Sequence, residues 1–175
     1  DLAGTFNCPV TLADGSETII QNASFLESLT IASIATLRVA DNFYLHNEGE
    51  ITNRGTLLLA SGYSTDRDRL TGAGLLVNEG RCEVYQGDVN AGTARVHNRV
   101  FIRPSVQIVV NSGAHLWMGT SSSLLNAGEV QVQASARLDM VDGTPLDFVM
   151  FAKSRCTGDG LTTMGGNGRL LVLAT

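Results

Sequence analysis

A chain of 175 residues that is 43% apolar, with nineteen glycines and only three prolines, is long enough to bury one sizeable core and gives no sign of a linker or second domain. Its net charge is −5, and its twelve basic residues are scattered rather than gathered into a stripe, which argues against a nucleic acid partner. No run of eighteen apolar residues occurs, so insertion into a membrane is not expected.

Residues 1–19 read as an N-terminal edge or cap. The chain opens at Asp1 without methionine, which fits a secreted protein after processing or a trimmed chain equally. From Asn22 onward a pattern recurs. Asn22, Asn47, Asn78, Asn98 and Asn126 each follow an aliphatic residue by two positions (Ile20, Leu45, Leu76, Val96, Leu124) and precede an apolar one by four (Leu26, Ile51, Cys82, Ile102, Val130). Their spacings of 25, 31, 20 and 28 residues suit one complete coil of a β-solenoid. Apolar residues around them alternate with period two, as in Leu45-His46-Asn47 and Val130-Gln131-Val132, so the coils are expected to be strands. Stacking coils about 4.8 Å apart would place these asparagines in one structural ladder at the corners, with aliphatic columns inside.

Gly49, Gly80 and Gly128 lie two positions after their asparagines, which marks the N-x-G triplets as corners. Second corners are expected at Gly62, Gly113 and Gly143, closing strands that carry Leu57/Leu59, Ile108/Val110 and Leu138/Met140, with Leu37/Val39 as a further pair. Two segments break the pattern. Residues 63–69, with Asp66, Arg67, Asp68 and Arg69, and residues 116–123, with Trp117, read as insertions and are the candidate binding residues: alternating charges can hold a polar ligand, and a tryptophan can stack on a sugar. After residue 143, a last coil or cap runs through residues 145–151 and then 166–172, the latter aligning with residues 78–84 if Gly166 takes the asparagine slot.

Catalytic chemistry finds little purchase. Glu48 and Glu79, each one position after an asparagine, would be neighbours at a corner, but on an exposed turn with no basic residue aligned. His46 and His97 point outward about two coils apart and cannot share a metal, and no nucleophile motif or phosphate loop occurs. No cofactor and no enzymatic activity are expected. Cys82 fills a slot held elsewhere by Leu, Ile and Val and reads as a buried hydrophobe, whereas Cys8 and Cys156 lie near opposite ends, where a bridge within one chain is not expected and one between neighbouring subunits is open.

Two strings, Leu45-His46-Asn47-Glu48-Gly49-Glu50-Ile51-Thr52-Asn53-Arg54-Gly55-Thr56-Leu57 and Leu124-Leu125-Asn126-Ala127-Gly128-Glu129-Val130, resemble the N-x-G-x-I-x-N-x-G-T-L repeats of right-handed parallel β-helix surface proteins such as autotransporter passengers and secreted adhesins. That resemblance implies an extracellular or cell-surface setting and a stiff rod, with a role in adhesion, surface coating or filament building. The expectation is therefore an all-β, single-stranded parallel β-helix (β-solenoid) of about five to seven irregular coils, coiled through residues 20–143. With no charged helix to cap either end, the expected partner is a second copy, stacked head to tail or laterally into a filament, fibre or coat. A glycan-binding adhesin or viral fibre segment is the alternative, with a polysaccharide-active enzyme behind it.

Overall fold

A computed structural model describes residues 1–40, 43–61, 67–86, 94–96, 99–119, 122–142, 147–166 and 169–173. All of the regular structure is β, and every strand pairing is parallel. The strands wind into a parallel β-solenoid of about six turns, within the expected range.

Each coil lays one strand on each of three faces. The first face is an eight-stranded sheet that begins with Val10–Leu12, Ser28–Ile31, Glu50–Asn53 and Leu75–Asn78, and continues through Arg99–Ile102, Ser123–Asn126, Asp147–Met150 and Arg169–Val172. The other fourteen strands form one sheet folded at Glu17–Phe25, whose halves pair with different neighbours: Glu17 to Ile20 with Thr36–Val39, and Ala23 to Phe25 with Leu45–Asn47. The second face then runs through Thr56–Ser61, Arg81–Gln86, Gln107–Val110 and Glu129–Val132 to Arg155–Thr157. The third runs from Leu2–Phe6 and Leu45–Asn47 through Arg67–Thr71, Ala94–Val96, His115–Met118 and Arg137–Asp142 to Leu161–Gly166.

Period-two alternation makes the core, because parallel strands in register put position i of one coil over its counterpart in the next. Leu29, Ile51, Leu76, Val100, Leu124 and Phe148 form one buried column on the first face. On the second face Leu37, Leu57, Cys82, Ile108 and Val130 form another, beside Val39, Leu59, Val84, Val110 and Val132. On the third, Val96, Met118 and Met140 stack beside Leu116 and Leu138. Cys82 is thus core, and burial with the Glu83 charge pushes its thiol up to about 12. Cys8 and Cys156 are exposed free thiols.

The five-asparagine ladder is corrected by these registers. Leu45 lies on the third face, Leu76 and Leu124 on the first, Val96 on the third and Ile20 on the second. Asn47 aligns with Phe25 at the corner leaving the third face. Asn22 is exposed, with φ 61, at the bend inside Glu17–Phe25, where its Oδ1 accepts from the Tyr44 amide at 3.2 Å. Asn98 lies outside the described residues. Asn78 and Asn126 do share a column, at the end of the first face, and its third asparagine is Asn53. That column reads Leu12, Ile31, Asn53, Asn78, Ile102, Asn126, Met150, Val172. The same registers put Leu138/Met140 on the third face, apart from the other expected strand pairs, and Arg169–Val172 on the first face rather than in line with residues 81–84 on the second. The expected boundary at residue 19/20 falls inside a continuous strand, and residues 1–19 already contribute Leu2–Phe6 and Val10–Leu12 to the coils.

Residue type in this column goes with the length of the corner that follows it. After Asn53, Asn78 and Asn126 the next face begins three residues on, at Thr56, Arg81 and Glu129; after Leu12, Ile31, Ile102 and Met150 it begins five on, at Glu17, Thr36, Gln107 and Arg155. The asparagine supplies what the short corner lacks. Its Nδ2 donates to a carbonyl of the following coil, Asn53 to Arg81 O at 2.9 Å, Asn78 to Gln107 O at 3.1 Å and Asn126 to Arg155 O at 2.9 Å. Asn53 also donates to Asn78 Oδ1 at 2.7 Å. The longer corners instead close a β-turn on themselves: Ser16 N donates to Ala13 O, Ala35 N to Ala32 O, Val106 N to Arg103 O and Ser154 N to Phe151 O. In three of them the third turn residue, Gly15, Ser105 or Lys153, has a positive φ of 67 to 78. Short corners also lie close on the coil before: a Cβ on Gly80 would come 2.4 Å from Gly55 O, and one on Gly128 2.2 Å from Val106 O. These are positions for glycine alone.

Asn78→Leu removes the donor and sets an aliphatic side chain on a corner too short to form its own turn. An unmade buried hydrogen bond costs about 1–3 kcal/mol. The variant is expected to unfold at lower denaturant by that amount, and two residues inserted between Glu79 and Gly80 should restore part of the loss, both read by equilibrium denaturation.

Candidate functional site

Of the residues expected to bind, the described ones fall on one face. Arg67, Asp68 and Arg69 belong to a strand of the third face rather than to a loop, although their side chains, and Asp66 entirely, lie outside the described residues. Trp117 likewise sits in a strand, His115–Met118, and not on an insertion. Backbone register aligns Asp68 with Arg95 and Arg95 with Trp117, so Asp68 and Trp117 share one register position two coils apart. Arg69 is passed over where the register shifts, a bulge in the strand.

That column continues from Trp117 to Asp139 and Thr163. Asp139 is only 4% exposed, although on an outward position, because neighbours in three coils close over it. His115 Nε2 lies 2.9 Å from Oδ2, Arg137 Nε donates to Oδ1 at 2.7 Å, and the Thr163 hydroxyl donates to Oδ1 as well. Burial raises the Asp139 carboxyl, but the hydrogen bonds from Arg137, Thr163 and His115, with the charge of His115, outweigh it and hold the group below its ordinary value. A His, an Asp and a Thr are present, yet the carboxylate accepts from both of the others. Thr163 is not bonded to the imidazole, so no base is placed to activate it. The arrangement is a saturated anion that ties together three coils.

These residues carry a signal that was not read in the sequence. His115 to Arg137 and Trp117 to Asp139 are each 22 residues apart, and Asp139 to Thr163 is 24, one coil in each case. Finding them requires the coil register, and the five asparagines set a mixed one.

Glu48 and Glu79 are not neighbours. Glu48 pairs with His46 Nε2 at 2.8 Å beside the third face, and His46 Nδ1 lies 2.9 Å from the Thr71 hydroxyl. Glu79 sits at the first corner between Arg54 at 3.1 Å and Arg103 at 3.2 Å, so basic residues are aligned there, from the coils on either side. No group of three or more His, Cys, Asp or Glu side chains among the described residues is placed to hold a metal ion. Comparison with known proteins finds no matching family, no matching curated protein and no matching solved structure.

Asp139→Ala strands the Arg137 guanidinium and the Thr163 hydroxyl and is expected to destabilise the fold by about 1–3 kcal/mol. The pH dependence has a definite sign. A carboxyl held low in the fold contributes stability above its unfolded value, near 3.8, and loses it as pH falls toward the lower folded value. Below about pH 4 the native chain should therefore lose stability more steeply than Asp139→Asn, measured by denaturation at a series of pH values.

Proposed function

We propose that the chain is a structural protein, a β-solenoid subunit that adds copies of itself end to end into a filament, fibre or surface coat outside the cell. One observation carries this reading. Among the described residues, Leu161, Leu170, Val172 and Leu173 are 55%, 54%, 68% and 47% exposed, although position 170 continues a column that is buried through Phe148. An open strand edge with bare core columns recruits another coil.

Charge favours a second copy as the occupant. Residues 1–40, which form the first coils, carry Asp1, Asp14, Glu17 and Glu27 against Arg38, whereas residues 147–173 carry Lys153, Arg155 and Arg169 against Asp147 and Asp159. The acidic end of one copy and the basic end of the next attract. An extracellular setting rests on the resemblance to β-helix surface proteins, and the stack of coils suits a stiff rod.

Light scattering behind size-exclusion chromatography, with negative-stain microscopy at rising concentration, tests the proposal. Particles that lengthen in one dimension are expected for the native chain. Val172→Arg should give a folded monomer, and a native chain that stays monomeric at high concentration contradicts the reading.

A further inference from the structure

A groove runs along the corner between the first and second faces, and corner length makes it. The long turns at Arg103–Val106 and Phe151–Ser154 stand out on either side of the short corner Asn126–Glu129, which recedes between them with Ala127 and Gly128 on its floor. The walls are two coils apart, about 10 Å, which leaves room for one flat ring or an extended chain. The cavity measures about 740 Å³ and lies within the range of small-ligand sites. At one end Phe101 and Phe151 meet edge to face, centroids 6.3 Å apart.

The groove also holds the two cations that are unpaired among the described residues. Among the eight described basic side chains, Arg38 donates to Tyr85, Arg54 and Arg103 pair with Glu79, Arg81 with Glu83, Arg137 with Asp139 and Arg169 with Asp147. Only Lys153 and Arg155 lack a hydrogen-bond or ion-pair partner among the described residues, and both line the groove. Lys153 is the only lysine in the sequence. It sits at the turn position with φ 67 that Gly15 and Ser105 fill in other coils, which sets it at the tip of the long corner. Two cations that line the groove against the one carboxylate of Glu129 leave it net positive in a chain of net charge −5, which favours an anion.

We propose that this groove binds an acidic saccharide, a sugar chain bearing carboxylate or sulfate groups. Arg103 already covers a face of Phe101, its guanidinium 5.5 Å from the ring centroid, so Phe151 is the ring that meets the apolar side of a sugar. Lys153 and Arg155 take the anionic group. Glu129, fixed by the Thr157 hydroxyl at 2.6 Å, and Gln107 accept and donate to sugar hydroxyls. An acidic peptide fits less well, because the corner amides that could pair with its backbone are already used: Val106 N on Arg103 O, Glu129 N on Val106 O, Ser154 N on Phe151 O and Arg155 N on Gly128 O. The groove shares Leu173, Lys153 and Arg155 with the end proposed to meet a second copy, so its binding is read on the monomeric Val172→Arg chain as well as on the native one. The groove lies away from Trp117, on another part of the coil.

Titration calorimetry of the full chain with four probes decides it: an oligogalacturonate, a sulfated heparin oligosaccharide, a neutral cello-oligosaccharide and hexaglutamate. Binding of one or both acidic sugars is expected, weakening as salt rises, with the neutral sugar and the peptide much weaker; which acidic sugar binds tells carboxylate from sulfate. K153A/R155A and, separately, Phe151→Ala should each weaken that binding about tenfold or more, with circular dichroism unchanged. No binding of either acidic sugar overturns the proposal. So does binding that both variants leave intact, or hexaglutamate binding as tightly as the sugars.

Discussion

Every part of this molecule depends on parallel register between coils. A backbone strand in one coil satisfies its hydrogen bonds only on the strands of the coils before and after it, so each coil must bring the same column of side chains back to the same place. Faces therefore vary little in length, and corners absorb what the sequence varies. The column ending the first face shows how. An asparagine there bonds forward to the following coil and permits a three-residue step, while an aliphatic residue goes with a five-residue step that closes its own turn. Corner length then shapes the surface, since alternating long and short corners produce a groove without any helix or inserted domain.

The fold class was legible because period-two alternation and a repeat of 20–31 residues survive any error in register. The asparagine column was only half legible. Asn47 and Asn78 have the same local pattern, N-x-G with aliphatic flanks, because the corner leaving the third face and the corner leaving the first solve the same steric problem. A coil with three corners presents that pattern more than once, and counting it once per coil merges different faces. Asn53, six residues after Asn47, was the true neighbour of Asn78, and Ile102 and Met150 occupy the same column without any likeness in sequence.

Functional residues were harder to read for the same reason. His115, Arg137, Asp139 and Thr163 come from three successive coils and look unrelated in the linear chain. Trp117 read as an inserted residue, because the short strand His115–Met118 is broken from its neighbours by glycines. Lys153 and Arg155 gave no motif; what marks them is that other described basic side chains have partners and they have none. A missing partner is a property of the folded surface, and no spacing in the sequence encodes it.

Register itself can be measured most directly by cross-linking on the first face, where Thr30 and Thr52 face outward and pair across adjacent coils. Paired residues in neighbouring strands lie about 4.8 Å apart, inside the range that a disulfide spans. Oxidation of a chain carrying Thr30→Cys and Thr52→Cys should give that bridge in high yield by peptide mass mapping, and Thr30→Cys with Thr56→Cys should not. A bridge in the second variant, or none in the first, contradicts the coil register on which the ladder, the corners and the groove all rest.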